Sequence, residues 1–272
     1  MYQGQLHQAE DLLQKAAHMI GQESGHYLGV VGLLDVETAA LFCEWNDLEA
    51  ALVRVNKGLD CLLWWGKADD FCLAYVALAR IQLAKGNVAE ATEAVKKAVQ
   101  LVQTCGIFSE ACRAVEAAQV KLWLAQRDWP EVNRWIVDLE KRFDTGEPFQ
   151  HENELIHITQ ARILIAQKKP GEAIRLLSCL EEIAESNGRV GRLIQILLLK
   201  ALALQAAGET KPAVRLLTKS LALAQPENYL RVFLDEGEPL IRLLKELHKS
   251  ETDFKLNDYI DRLLEVGTQN QN

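Results

Sequence analysis

The chain has 272 residues, 38 acidic against 30 basic side chains, a formal charge of -8 and 49% hydrophobic residues. A charged fraction of 25% with 16 Gly and 6 Pro is close to the globular average and excludes a disordered or collagen-like chain. Acids and bases are interspersed, which leaves no clustered Lys and Arg to grip a polyanionic backbone, so direct binding of DNA or RNA is not expected.

Apolar runs are short, as at Ile196 to Leu199, and fall far below the roughly 18 to 20 residues that span a bilayer, so no membrane partner is expected. Met1 to Glu10 has neither the basic nor the apolar region of a secretory signal. Cys43, Cys61, Cys72, Cys105, Cys112 and Cys179 form no CxxC pair and have no His at zinc spacing. They read as reduced core cysteines of a cytoplasmic protein, with no metal and no cofactor.

From the N-terminus onward the chain repeats. Gly4 to Ile20 reads as a second helix of a pair with no first helix before it, so the chain is expected to begin in mid-repeat, as a piece of a longer protein. A turn phrase then recurs as GQLHQA, WNDLEA, GNVAEA, RDWPEV, KPGEA and GETKPA, placing a small residue at Ala9, Ala50, Ala91, Val132, Ala173 and Ala213. The spacings are 41, 41, 41, 41 and 40 residues. Small residues recur twelve before this anchor (Thr38, Ala79, Val120, Ala161, Ala201) and seven before it (Cys43, Ala84, Ala125, Ala166, Ala206). Leu41, Trp123, Leu164 and Leu204 recur nine before it, and Val95, Ile136, Leu177 and Leu217 four after it. Small residues where helices approach and large apolar ones at helical spacing predict helix A, a tight turn and helix B in every unit. The fold class is therefore all-α, a right-handed superhelical solenoid of helix pairs with a repeat of about 41 residues. The repeats are expected over 1–225, the first truncated, with capping helices over 226–272 at Glu238–Lys249 and Asn257–Val266.

The order of small residue, large residue, turn and small residue resembles the tetratricopeptide repeat, whose period is about 34 residues against the longer one here. A second resemblance lies in Asn228-Tyr229-Leu230-Arg231-Val232-Phe233-Leu234-Asp235-Glu236-Gly237, followed by Pro239-Leu240 and Leu243-Leu244. This segment looks like the closing signature of the superhelical sensor domain in MalT-like, large ATP-binding LuxR-family transcription activators. The resemblance implies a sensing module whose partners are a small effector or a regulatory protein, together with ATPase and DNA-binding domains of the same polypeptide. No GxxxxGK[ST] loop and no basic helix-turn-helix occur in this stretch, so neither the motor nor the DNA reader is expected within it.

In the tetratricopeptide register, helix A lines the groove and residues one repeat apart form columns about 10 Å apart. Eleven before the anchor the column is Ala39, Arg80, Lys121, Arg162 and Leu202, three successive cations that could hold carboxylates or phosphates, or else pair with acids on neighbouring helices. Thirteen before it stand Gln119 and Gln160, and sixteen before it Tyr75 and His157, with hydrogen bonds to offer a polar ligand. Of six tryptophans, Trp123 and Trp135 fall in core columns and Trp45 and Trp129 at turns, whereas Trp64 and Trp65, just past a helix B, offer a contact surface. No nucleophile and base recur together and no metal-ligand cluster emerges, so no catalytic residue is assigned and no enzyme is expected. The alternative to a sensor is a free-standing scaffold that docks a peptide or partner helix in the groove.

Overall fold

The computed structural model describes residues 4–21, 28–107, 110–143, 153–249 and 254–269. Helix α1 (Leu6–Gly21) is followed by five pairs: α2 (Leu28–Glu44) with α3 (Leu48–Trp65), α4 (Ala68–Ala84) with α5 (Val88–Cys105), and α6 (Glu110–Gln126) with α7 (Trp129–Phe143). The last two pairs are α8 (Glu154–Ala166) with α9 (Pro170–Ser186), and α10 (Val190–Ala206) with α11 (Thr210–Ala224). A 3₁₀ turn at Gln225–Glu227 leads to α12 (Arg231–Leu234), α13 (Glu238–His248) and α14 (Phe254–Gln269). No strand occurs among the described residues. The fold is the all-α, tetratricopeptide-like helical repeat that the period predicts. The chain divides into two units, His7–Thr159 and Met1–Leu6 with Gln160–Asn272.

Every A helix ends in the same way. Asn46, Gly86, Arg127, Lys168 and Gly208 adopt left-handed φ values of 63°, 81°, 57°, 60° and 84°. In each turn this residue donates its N–H three residues back, and the next residue donates five back, as in Asn46 to Cys43 and Asp47 to Phe42, both at 2.9 Å. The pairs Gly86 to Leu83 and Asn87 to Gln82, Arg127 to Leu124 and Asp128 to Trp123, Lys168 to Ile165 and Lys169 to Leu164, and Gly208 to Gln205 and Glu209 to Leu204 repeat it. This is the Schellman closure, which satisfies the last carbonyls of one helix. The second donor is at once the N-cap of helix B: Asp47, for example, accepts from the Ala50 N–H at 3.1 Å. The reversal therefore contains no free linker.

Core packing repeats with the turns, and it corrects the sequence register in the first full pair. Ala39, Cys43, Ala51, Val55 and Ile81 form one buried cluster, and Ala79, Ala91, Ala94, Val95 and Leu122 form its counterpart one repeat later. Ala51 is fully buried, like Ala91, Val132, Ala173 and Ala213, whereas Ala50 is only half-buried. The anchor of that pair is thus Ala51, Ala39 replaces Thr38 in the small column, and Val55 joins the large one. In the carboxy-terminal unit Ala161, Ala173, Leu177, Ala201, Ala213 and Leu217 are all fully buried at the same positions. On the corrected register the second column reads Glu44, Ala84, Ala125, Ala166 and Ala206: Glu44 and Ala84 are buried and the last three exposed, so this column is not a continuous line of close helix contact. Helix α3 also runs through Trp64 and Trp65, which the sequence pattern places just past its end.

The closing segment packs against the last pairs of its own unit. Phe233 is fully buried and meets Tyr259 edge-on at 6.3 Å, while the Tyr259 hydroxyl donates to the Tyr229 carbonyl. Leu240, Ile241, Leu243, Leu244 and Leu247 form the buried face of α13. The helices expected at Glu238–Lys249 and Asn257–Val266 are present, the second about a turn longer at each end.

The cysteines divide by burial: Cys43 and Cys72 are buried, Cys61 and Cys112 half-buried, and Cys105 and Cys179 exposed, so the last two are not core residues. Burial, reinforced by Asp69, pushes the Cys72 thiol up to about 11. Since the thiolate is the reactive form, alkylation at pH 8 should proceed quickly at Cys105 and Cys179 and reach Cys43 and Cys72 only on unfolding, as peptide mass spectrometry would show. The left-handed turns give a second expectation. Arg127 and Lys168 occupy a conformation that costs a side-chain-bearing residue about 1 kcal/mol, so Lys168→Gly should raise stability by about 0.5–1 kcal/mol in a urea melt.

Candidate functional site

The cation column lies on the A helices, and two of its members are already engaged by acids. Arg80 of α4 donates through Nη2 to Glu44 Oε2 of α2 at 2.8 Å, and the Glu44 side chain is 8% exposed. Arg162 of α8 donates through Nε and Nη2, at 3.0 and 2.7 Å, to Glu236 Oε1 beyond α12, with both side chains about nine-tenths buried. Lys121 of α6 is half-buried. Arg80 and Lys121 belong to the amino-terminal unit and Arg162 to the carboxy-terminal one.

Gln119 and Gln160 are half-buried on α6 and α8. His157 sits deeper, and Tyr75 is half-buried like the two amides. Tyr75 is packed among Ala79, Ala91, Ala94 and Val95 with the Lys97 ammonium 5.6 Å from its ring centre, and His157 is 8% exposed. Once Asp35 replaces Leu34 in the first repeat, the reason is visible in the register. The column sixteen before the anchor faces the B helix of its own pair: Asp35 receives Arg54 of α3 at 2.8 Å and Lys57 at 3.0 Å, and Glu116 receives the Trp135 indole N–H and Arg142 of α7. Tyr75 and His157 fall in this column by register.

Among the tryptophans, Trp135 is buried and Trp123 half-buried, in line with core columns. Trp45 packs at its turn on Phe42 and on His7, with ring centres 6.4 and 5.3 Å apart, and Trp129 is 38% exposed. Leu63 and Trp64, 74% and 72% exposed, form a bare apolar spot in the last turn of α3. The side chain of Trp65 lies outside the described residues. Burial pushes the Glu37 carboxyl up, and Glu110 on α6 adds in the same direction. No group of three His, Cys, Asp or Glu that could hold a metal, and no helix long and apolar enough to cross a membrane, is found among the described residues.

The residues that column-reading alone overlooks are the acids Glu44 and Glu236. Each is identified only by the arginine set beside it. The Arg80–Glu44 pair sets a measurable expectation. Arg80→Met should cost about 1–3 kcal/mol in thermal unfolding by leaving the Glu44 carboxylate in a dry site. The double variant Arg80→Met/Glu44→Leu should recover most of that loss, and additive losses would show that the two side chains do not act as a pair.

The repeated helix pairs, their closure turns and the Asn228–Gly237 signature agree with what comparison with known families finds: the model of the MalT-like TPR region matches residues 1–250. This chain belongs to the MalT-like TPR family.

Proposed function

We propose that this chain is the sensing and regulatory domain of a MalT-like, LuxR-family transcription activator, acting in the cytoplasm without catalysis of its own. Its ATPase and DNA-binding partners lie elsewhere in the same polypeptide. What supports the reading is the family match over residues 1–250, which takes in the whole of the Asn228–Gly237 signature. A fold of this class does not by itself specify a function. The weight falls instead on the A helices, where Arg80, Gln119 and Lys121 in the amino-terminal unit, and Gln160 and Arg162 in the carboxy-terminal unit, supply cations and amides in register.

Such a module works by differential affinity. A small effector or regulatory protein that binds one arrangement of the repeats better than another shifts the population toward it, and only by as much as the two affinities differ. Occupancy of the groove is then read by the domains that follow. The scaffold reading, in which the groove holds a partner helix and no metabolite, uses the same surface, and the exposed Leu63 and Trp64 would suit such a contact.

Thermal unfolding against sugars, sugar phosphates, amino acids and nucleotides separates the two. A true effector at a hundredfold excess over its Kd should stabilise the folded chain by about 2.7 kcal/mol, a shift of a few degrees. The shift should fall in Lys121→Ala or Gln119→Ala. If no compound moves the transition and none changes transcription by the full-length regulator, the protein-scaffold reading takes its place.

A further inference from the structure

We infer that Glu236 is the built-in occupant of Arg162: the closing segment holds this cation of the groove shut, and an anionic effector must displace the Glu236 carboxylate to reach it. The inference rests on the reading of the cation column as an effector surface. It adds that the carboxy-terminal unit carries its own competitor.

The carboxylate that meets Arg162 is not a product of the repeat. Arg80 takes its acid from the preceding A helix, whereas the corresponding register position for Arg162 holds Ala125. Arg162 instead reaches an acid 74 residues away, outside the helix pairs altogether. Both of its hydrogen bonds converge on the single oxygen Oε1, at 3.0 and 2.7 Å. Glu236 is delivered there by a constrained piece of chain. Helix α12 is a single turn anchored by the fully buried Phe233, the Glu236 N–H donates to the Phe233 carbonyl at 3.0 Å, and Gly237 follows at φ 66°, ψ -145°. That backbone region is close to one reserved for glycine. Next to it, Arg231 is tied back to Asp235 at 2.6 Å, so the segment satisfies its own cation and leaves Glu236 for α8.

Energetics favour a latch over a brace. A buried ion pair gives back little more than its desolvation cost, and well-packed apolar residues usually do as well. Both side chains of the pair are about nine-tenths buried, so that desolvation cost applies here. What the pair supplies is a choice between two states: Arg162 held by the protein's own carboxylate, or Arg162 held by a ligand's carboxylate or phosphate oxygens. An internal competitor of this kind lowers the apparent affinity for the ligand by the fraction of time the site is open. It also ties occupancy of α8 to the position of the segment leading into α13 and α14.

The test uses the full chain with succinate and inorganic phosphate as probes, titrated by calorimetry into wild type, Glu236→Gln and Glu236→Gln/Arg162→Met. The expected result is a gain in affinity of about tenfold or more in Glu236→Gln that disappears in the double variant. Amide exchange should quicken at residues 231–237 and stay unchanged in α9 and α11. Should Glu236→Gln not fold, Glu236→Asp, which keeps the charge and withdraws it by one methylene, serves the same comparison with a smaller gain. Equal affinity in wild type and variant, or binding by neither, overturns the proposal, as does a uniform rise in exchange across α9, α11 and α12, which would make the pair a structural tie only. A metabolite that stabilises the wild-type chain yet binds Glu236→Gln equally well would remove this inference and leave the sensor reading standing.

Discussion

The left-handed residue that closes each A helix is the constraint on which the remaining structure depends. Once Asn46, Gly86, Arg127, Lys168 or Gly208 turns to positive φ, the chain reverses within two residues, and the residue that satisfies the end of helix A is already the cap of helix B. The two helices then start at a fixed offset, which sets the anchor residue against the small column of its partner. Ala39 with Ala51, Ala79 with Ala91, Ala161 with Ala173 and Ala201 with Ala213 are consequences of one turn used repeatedly. A helix end without such a closure would leave its carbonyls to water and its direction unfixed.

Polar groups are handled on the same repeating frame. Between the helices of a pair, acids at the sixteen-before column take donors from helix B, as Asp35 does from Arg54 and Lys57 and Glu116 from Trp135 and Arg142. Between successive A helices, Arg80 takes Glu44. The two layers do different work, because the first closes a pair internally and the second lies on the surface that successive A helices build. Arg162 belongs to the second layer by register and yet is answered from the closing segment, which is why that segment bears on the functional reading and not merely on solubility at the end of a stack.

Much of this was legible in the order of residues. Periodicity needs only the chain itself, so the repeat, the helix pairs, the turns and both closing helices could be placed within a few residues. The misplacement of the first anchor at Ala50 has a simple cause: Ala50 and Ala51 are both alanine, and composition cannot tell which of two adjacent small residues faces inward. The end of α3 is hidden for a related reason, since two tryptophans before Gly66 look like a break in the helical pattern while the backbone continues through them.

The candidate site divides along the same line. The sequence by itself determined that cations recur at one register position and that amides and aromatics recur at two others, because register is a property of spacing. It could not determine which of these face a groove and which face a partner helix, since that depends on the rotation of each helix about its axis, and this is set by packing. Only the tertiary structure showed His157 to be buried, set Glu44 against Arg80, and brought Glu236 across 74 residues to Arg162. A contact between distant residues leaves no periodic trace in the chain, so the Arg162–Glu236 ion pair was the feature least visible in the sequence.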